Sequence, residues 1–325
     1  MKKISIIVPM YNSFHMMSRN LEVLEKQTAA EIELIIVDDC SSDDSFERAT
    51  AYAQSSKFDV IVAKNEKNGG PGVSRNLGLT YATGDYITFV DSDDYFSNDF
   101  SDVLAPLLED NIECIIFDYL MVDENGEELC AGRSMAGDIP RDTFIDHKDA
   151  CVYVHGSPWG KIYRKDVVQQ HNVRFGEFYR NEDMPFTKCA VAMASRVYHS
   201  SAQLYRYVQV STSLMHNHSL LDERNCMRAF DMISERLAGL GFEEELRAIE
   251  LREVLNNTVL IKLQKREKRA AIIEFIKQRY TKKHIRNRYF SRYGISTKII
   301  TYCAFFRALI LLRLILAIKN KFKKQ

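Results

Sequence analysis

The stretch Tyr86-Ile87-Thr88-Phe89-Val90, followed at once by Asp91-Ser92-Asp93-Asp94, decides how this 325-residue chain is interpreted. The first five residues are β-branched or aromatic, which is typical of a strand buried on both faces. The acids follow where that strand ends, and open α/β sheets bind ligands at the carboxyl ends of their strands. Two carboxylates spaced D-x-D can reach one Mg²⁺, which takes its other ligands from phosphates and water. The segment predicts metal-assisted chemistry on a phosphorylated substrate, with an ordinary acidic turn as the alternative.

Strands and helices alternate around this segment. Apolar runs predict strands over Ile4–Val8, Ile32–Val37 and Asp59–Ala63 before it and over Ile112–Phe117 after it. Between these runs the apolar residues recur at helical spacing, as in residues 73–81. Regular β-α alternation predicts a mixed, mostly parallel sheet with flanking helices.

The pattern changes near residue 219, after which the apolar residues recur only at helical spacing. Leu251, Leu255, Val259 and Leu263 form one such stripe, four residues apart. We therefore predict two regions, an α/β domain over residues 1–217 and a helical region over residues 218–325.

The formal charge of the chain is zero, but it is unevenly distributed. Residues 262–325 contain 19 lysines and arginines against two glutamates, a net charge of +17, so the rest of the chain carries −17. Such a basic end predicts contact with a polyanion, and without a recognition fold we favour an anionic membrane over nucleic acid. The seven cysteines form no C-x-x-C pair and predict free thiols in a reducing compartment.

Polar clusters follow three of the predicted strands. They are Tyr11-Asn12, Asp38-Asp39 and Asp91-Ser92-Asp93. Because the carboxyl ends of parallel strands meet at one edge of a sheet, these groups are expected to line one crevice. The first strand is followed by neither G-x-G-x-x-G nor G-x-x-x-x-G-K-[ST], which argues against a dinucleotide fold and a P-loop.

In this order, the motifs resemble those of family 2 glycosyltransferases with the GT-A fold, of the bacterial polysaccharide type. The resemblance covers roughly residues 3–200. It rests on Val8-Pro9-Met10-Tyr11-Asn12, Glu33 to Ser41, Asn68-Gly69-Gly70 with Ser74 to Gly78, Gly84 to Asp94, Trp159 to Arg164, and Asn181 to Phe186. Cys40 departs from the family pattern, in which glycine or asparagine is common, and so does Pro71-Gly72-Val73, where alanine-rich residues are more usual.

The resemblance implies a role for each matching residue. The nucleotide sugar would be bound by Pro9, Tyr11, Asn12, Asp39, Arg75, Asp91 and Ser92. Asp93, with Asp91, would hold Mn²⁺ or Mg²⁺, and Asp183 would be the general base. The acceptor side would include Trp159, Lys161 and Glu182, although Trp159 could equally pack in the core and Lys161 could be a solvated lysine.

These roles imply an inverting, metal-dependent transferase that moves a sugar from a nucleotide sugar, most simply a UDP-sugar, to a glycan or lipid-linked glycan. A nucleotidyltransferase and a non-catalytic glycan-binding protein are the alternatives. We expect the chain to lie on the inner face of the cell membrane, in the cytoplasm. The apolar run Ile299–Ile318, followed by lysines, predicts a helix lying in the membrane interface; a true span and a buried or oligomerising helix are the alternatives. His216 and His218 could approach the diphosphate or the metal.

Overall fold

The structure, a computed structural model, describes residues 1–209, 223–265 and 267–311. The chain divides into two compact units, Met1–Asn217 and His218–Gln325. His216 and His218 lie outside the described residues.

The described part of the first unit, residues 1–209, contains ten strands. They are β1 (Lys3–Met10), β2 (Glu31–Asp38), β3 (Asp59–Lys64), β4 (Tyr86–Phe89), β5 (Tyr95–Phe96), β6 (Cys114–Val122), β7 (Glu128–Gly132), β8 (Thr143–Ile145), β9 (Lys161–Arg164) and β10 (Val197–Val208). Its helices are α1 (Ser18–Leu24), α2 (Ser45–Ser55), α3 (Pro71–Tyr81), α4 (Phe100–Glu109), α5 (His147–Tyr153), α6 (Lys165–Gln170) and α7 (Asp183–Met193).

All ten strands form one mixed sheet in the order β3-β2-β1-β4-β9-β6-β10-β5, with β7 paired to β6 and β8 to β10. The first four strands in this order are parallel. Strand β9 runs antiparallel to both of its neighbours, β4 and β6. The predicted mixed sheet with flanking helices is therefore confirmed.

The carboxyl ends of β1, β2 and β4 lie side by side. In the parallel register Met10 is opposite Asp38, and Ile7 is opposite Phe89. Helix α3 packs closely on this part of the sheet because residue 78 is a glycine. A Cβ there would lie 2.5 Å from Cγ2 of Ile7, nearer than side chains approach.

Two elements of the first unit begin two residues away from the position that the sequence predicts. Helix α3 starts at Pro71 rather than Val73, since proline suits the first turn of a helix, where its missing N–H costs no hydrogen bond. Strand β6 runs from Cys114 to Val122, because it pairs along its length with β10 and turns into β7 at Asp123-Glu124-Asn125-Gly126.

In its described part, the second unit is helical, as predicted. Its elements are α8 (Glu223–Leu237), α9 (Glu243–Ile249), a π-helical turn (Glu250–Leu255), α10 (Asn256–Gln264), α11 (Arg269–Arg279), α12 (Lys282–Ile285) and α13 (Ile295–Phe305). Within the described ranges, no helix combines the length and the apolarity needed to cross a bilayer.

The prediction of one continuous helix over Ile299–Ile318 is wrong. Helix α13 ends at Phe305, and Arg307 has φ +59°, in the left-handed region. The amide of Ala308 bonds to the carbonyl of Cys303, and that of Arg307 to the carbonyl of Ala304. These bonds form a Schellman motif, which terminates a helix. The part of the predicted helix after residue 311 lies outside the described residues.

Candidate functional site

The structure brings together the polar residues that follow β1, β2 and β4. The amide of Asn12 donates to Oγ of Ser41 over 2.9 Å, which joins the first cluster to the second. The hydroxyl of Ser13 donates to Oγ of Ser92 over 2.8 Å, which joins the first cluster to the acidic loop. The three clusters therefore share one edge of the sheet.

Asp39 is buried at this edge, and its carboxylate is occupied by the loop after β3. One oxygen accepts from the side-chain amide of Asn65 (2.7 Å) and from the backbone amide of Gly69 (2.9 Å). The other accepts from the amide of Gly70 over 2.7 Å. Asp39 thus fixes the loop that leads into α3, and only the remaining lone pairs could accept from a bound base.

Tyr11 and Asn12 differ in what they offer to a ligand. Tyr11 is exposed, so its ring is available for stacking. The side-chain oxygen of Asn12 accepts from the amide of Ser42 over 2.8 Å, and the residue has φ +51°. Asn12 therefore holds the loop after β2, while Pro9, in β1, is half-buried.

The three aspartates after β4 have different surroundings. Asp94 is buried and accepts from the phenol of Tyr205 over 2.6 Å and from the amide of Val208 over 2.8 Å. Burial and the neighbouring Asp93 and Asp91 raise its pKa well above the usual value. Asp94 therefore anchors the acidic loop to β10 and leaves Asp91 and Asp93 half-buried at the edge.

Asp91 and Asp93 suit a divalent cation. Burial, and after it the negative charge of Asp91, raises the pKa of Asp93 to about 6. A negative charge on one of these carboxylates therefore disfavours a negative charge on the other. One oxygen of Asp91 is paired with Arg75, which leaves its second oxygen for a ligand. A hard cation with oxygen ligands fits this pair, although no three potential metal-binding side chains group together in the described part of the chain.

Asp183, the first residue of α7, is half-buried in the same unit. Burial and the adjacent Glu182 raise its pKa to about 7, while the charge of Arg75 acts in the opposite direction. A carboxyl group that titrates near neutral pH is suited to take a proton from a hydroxyl during a reaction.

The three residues assigned to the acceptor side have internal partners. Trp159 is half-buried and stacks on Tyr205 and Tyr207, with ring centroids 4.6 and 5.4 Å apart. Lys161 is fully buried, and its ammonium donates to the backbone oxygens of Ser157 and Trp159, both over 2.9 Å. Burial lowers the pKa of Lys161 to about 7.

Glu182 and Arg75 are buried together. The guanidinium of Arg75 donates to Oε1 of Glu182 over 3.2 Å and to Oδ1 of Asp91 over 2.6 Å. Arg75 thus joins two acids of the site, whereas the resemblance implies that it faces a diphosphate.

Sequence reasoning missed Asn65, Asp94 and Tyr205. Asn65 directly follows β3, so its position at the end of a parallel strand was a usable signal. Asp94 belongs to the quoted acidic run, but its inward direction depends on Tyr205, which is 111 residues away. Such a partner leaves no local signal in the sequence.

Residues 5–171 match the family described as glycosyl transferase family 2. They make up just over half of the chain, which therefore belongs to this family. The match argues against the nucleotidyltransferase alternative.

Two sequence relatives illustrate the similarity. EpsH of Bacillus subtilis (strain 168) is 32% identical over 214 residues, which are 63% of this chain and 60% of EpsH. The poly(ribitol-phosphate) beta-N-acetylglucosaminyltransferase TarS of Staphylococcus aureus (strain MW2) is 29% identical over 261 residues, 79% of this chain and 44% of TarS. The chain thus spans less than two thirds of the length of either relative.

The fold is shared with a solved structure. The crystal structure of S. aureus TarS 1–349 in complex with UDP-GlcNAc superposes with a TM-score of 0.66 at 26% identity, covering 85% of this chain and 81% of that one. The fold expected from the resemblance, a GT-A-like sheet with a helical C-terminal region, is therefore confirmed.

Proposed function

We propose that this chain is an inverting glycosyltransferase that moves a hexose or N-acetylhexosamine from a UDP-sugar to a hydroxyl of a surface glycan. The observation that carries the proposal is that Arg75 pairs both with Asp91, at the edge of the sheet, and with Glu182, the residue directly before Asp183. The UDP-GlcNAc complex of TarS supports a UDP-sugar donor. The poly(ribitol-phosphate) acceptor in the name of TarS supports an acceptor among cell-envelope polymers.

The donor lies along the ends of β1, β2 and β4 in this proposal. The exposed ring of Tyr11 stacks on the base, and Pro9, Asn12 and Ser92 line the pocket with Asp39. Asp93 and the free oxygen of Asp91 hold Mn²⁺ or Mg²⁺, which when bound stabilises the charge of the leaving diphosphate.

Asp183 is the general base of the proposed reaction. With a pKa of about 7, a large fraction of this carboxyl group is ionised at neutral pH and can accept the proton of the acceptor hydroxyl. Attack from the face opposite the leaving group inverts the anomeric configuration. Trp159, held by the aromatic rings of β10, contributes its remaining surface to the acceptor side.

The experiment is a panel of UDP-, GDP-, TDP- and CMP-sugars, each incubated with the full chain, Mn²⁺ and a glycan acceptor. Acceptors are a lipid-linked glycan and poly(ribitol phosphate), and parallel reactions contain EDTA. Metal-dependent release of UDP with sugar on the acceptor supports the proposal. Failure to bind any of the four nucleotides would instead revive the non-catalytic alternative.

The proposed location is the cytoplasmic face of the membrane. Helix α13 and the turn after it expose Ile295, Ile299, Tyr302 and Phe306, whose spacing places them on one side of the helix. The charge of +17 over residues 262–325 complements an anionic leaflet. All seven cysteines are free thiols, which suits a reducing compartment.

Vesicle sedimentation tests this location. The chain should sediment with vesicles that contain phosphatidylglycerol and remain in solution with pure phosphatidylcholine. Phe306→Ser should weaken sedimentation, while the control Phe144→Ser, at an exposed aromatic residue of β8, should not. Association of the chain with itself, seen by light scattering and lost in Phe306→Ser, would instead assign this face to an oligomer.

A further inference from the structure

Helix α3 lies directly against the segment that carries Asp183, residues 175–183, which we call the base turn. The side-chain amide of Asn76 donates to the backbone oxygen of Phe175 over 3.1 Å. In return, the backbone amide of Phe175 donates to Oδ1 of Asn76 over 2.9 Å. The side chain of Asn76 therefore bonds to both the N–H and the C=O group of Phe175, as the backbone of a neighbouring β-strand would.

The two ends of the base turn are hydrogen-bonded to each other, and its first residue packs against buried aromatic rings. The amide of Gly176 donates to the backbone oxygen of Glu182 over 2.8 Å, so the two ends of the turn are joined. The ring of Phe175 stacks on Phe186 of α7, with centroids 4.2 Å apart, and meets Phe89 of β4 edge-on. A shift at Phe175 is therefore transmitted to Glu182 and to the first turn of α7.

Residue 72 has to be a glycine for this contact. A Cβ at Gly72 would lie 2.3 Å from the backbone oxygen of Gly176 and 2.9 Å from Cγ of Glu182. Both distances are shorter than those that Cβ atoms make in proteins. The first is to a backbone atom, which cannot move aside as a flexible side chain can. The departure from the alanine-rich family pattern at this position thus coincides with backbone contact between α3 and the base turn.

The start of α3 is also fixed at the nucleotide side. The amides of Gly69 and Gly70, just before the helix, donate to Asp39. The side-chain amide of Asn65 donates to Asp39 and also to Oγ of Ser74, in the first turn of α3. The same helix is therefore tied at its start to the pocket residue Asp39 and along its side to the base turn.

We propose that α3 sets the distance between the nucleotide pocket and Asp183, with Asn76 as the principal positioning residue and Gly72 and Arg75 as its supports. Neither Asn76 nor Gly72 needs to touch the reacting atoms. The inference rests on the proposed function, because it assigns Asn76 to the placement of that base. It predicts that loosening the base turn slows transfer without weakening nucleotide binding.

The test compares Asn76→Ala with Thr80→Ala, a control on the exposed side of the same helix, where Thr80 donates only to the carbonyl of Leu77. In the Asn76→Ala variant of the 325-residue chain, kcat should fall about 10- to 100-fold, as expected for a misplaced reacting group. The donor KM and the Kd for UDP should stay within about twofold of the wild type, since Asp39 is untouched. Thr80→Ala should match the wild type throughout.

Amide hydrogen exchange gives a readout that does not need turnover. In Asn76→Ala, exchange at Phe175 and Gly176 should accelerate about tenfold or more, while Gly69 and Gly70 keep their protection. Gly72→Ala should give the same pattern by pushing the turn away. If Asn76→Ala is poorly folded, Asn76→Asp, which keeps the oxygen that accepts from Phe175, should lie between it and the wild type.

Two results would overturn the inference. One is unchanged kcat and unchanged exchange in both Asn76→Ala and Gly72→Ala. The other is a loss of UDP affinity in proportion to the loss of kcat, which would assign α3 to the nucleotide pocket alone. If the wild type transfers no sugar, the proposed function fails; selective exchange at 175–183 would still establish that α3 positions this turn.

Discussion

Two regions of the first unit use charged residues in opposite ways. The donor edge (residues 9–12, 38–40 and 91–93) lies at the ends of three parallel strands, where Tyr11 is exposed and Asp91 and Asp93 are half-buried. The acceptor segment (residues 157–183) turns Lys161 and Glu182 inward, where they bond to backbone oxygens and to Arg75. At the donor edge, buried Asp39 and Asp94 hold the loops and leave Asp91 and Asp93 accessible, whereas in the acceptor segment the charged motif residues Lys161 and Glu182 are themselves buried. A charged motif can therefore support a site without touching its ligand.

The largest expected effect is at Asp183, because it is the proposed proton acceptor of the acceptor segment. Asp183→Asn should lower transfer about 1,000-fold, within the range for general-base catalysis, and leave UDP affinity unchanged. Asp102→Asn, an exposed acid in the first turn of α4, is the matched control. Initial rates of UDP release, with UDP binding by calorimetry, measure both quantities. Near-wild-type turnover in Asp183→Asn would remove Asp183 as the base.

The pH dependence of transfer follows from the same residue. The raised pKa of Asp183 means that the carboxylate forms as the pH passes about 7, so kcat should rise with pH through this value. An ordinary aspartate would complete this rise below pH 5. A rate profile that is flat from pH 5 to 8 would contradict the raised pKa.

The next largest effect is expected at Asp93. It tests whether the donor edge, rather than the acceptor segment, binds the metal ion. Asp93→Asn removes one of two candidate ligands, and transfer in Mn²⁺ should fall about 100-fold, since bound metal contributes several kcal/mol to the reaction. Asp99→Asn, at the exposed N-terminus of α4, should keep the response to Mn²⁺. Equal stimulation of Asp93→Asn and wild type by Mn²⁺ would separate Asp93 from the metal.

Lys161 provides a test of the buried charges in the acceptor segment. Its pKa is lowered in the folded state, so between about pH 7 and 10 the unfolded chain binds the additional proton. Stability against urea should therefore increase with pH over this range, and Lys161→Met should lose a few kcal/mol of that increase. Lys57→Met, at an exposed lysine, should keep it. The same slope in both variants would show that Lys161 is protonated equally in both states.

How much of the structure the sequence predicts depends on whether the interactions involved are local or join residues distant in the sequence. The strands and the shared edge were predictable, because burial patterns and strand ends are local properties, as at Asp38 and Asp91. The partners of Lys161 and Asp94 were not, since direction and burial depend on distant residues such as Tyr205. The end of α13 was missed because apolar periodicity carries no sign of the left-handed Arg307.

The smallest effect is at Cys40, where the donor edge departs from its family's pattern. Cys40 has φ +62°, in the left-handed region, which favours the glycine or asparagine that the family resemblance leads one to expect. Cys40→Gly should raise the free energy of unfolding by about 1 kcal/mol, because the Cβ is strained in this conformation. Cys130→Gly, at an exposed position of β7 without a positive φ, should lower it by about 0.5–1 kcal/mol, since glycine weakens a strand. Urea unfolding of both variants measures the difference. A loss of stability in Cys40→Gly would mean that the thiol makes a contact worth more than the strain it imposes, and that this strand end, like the acceptor segment, depends on its side chains.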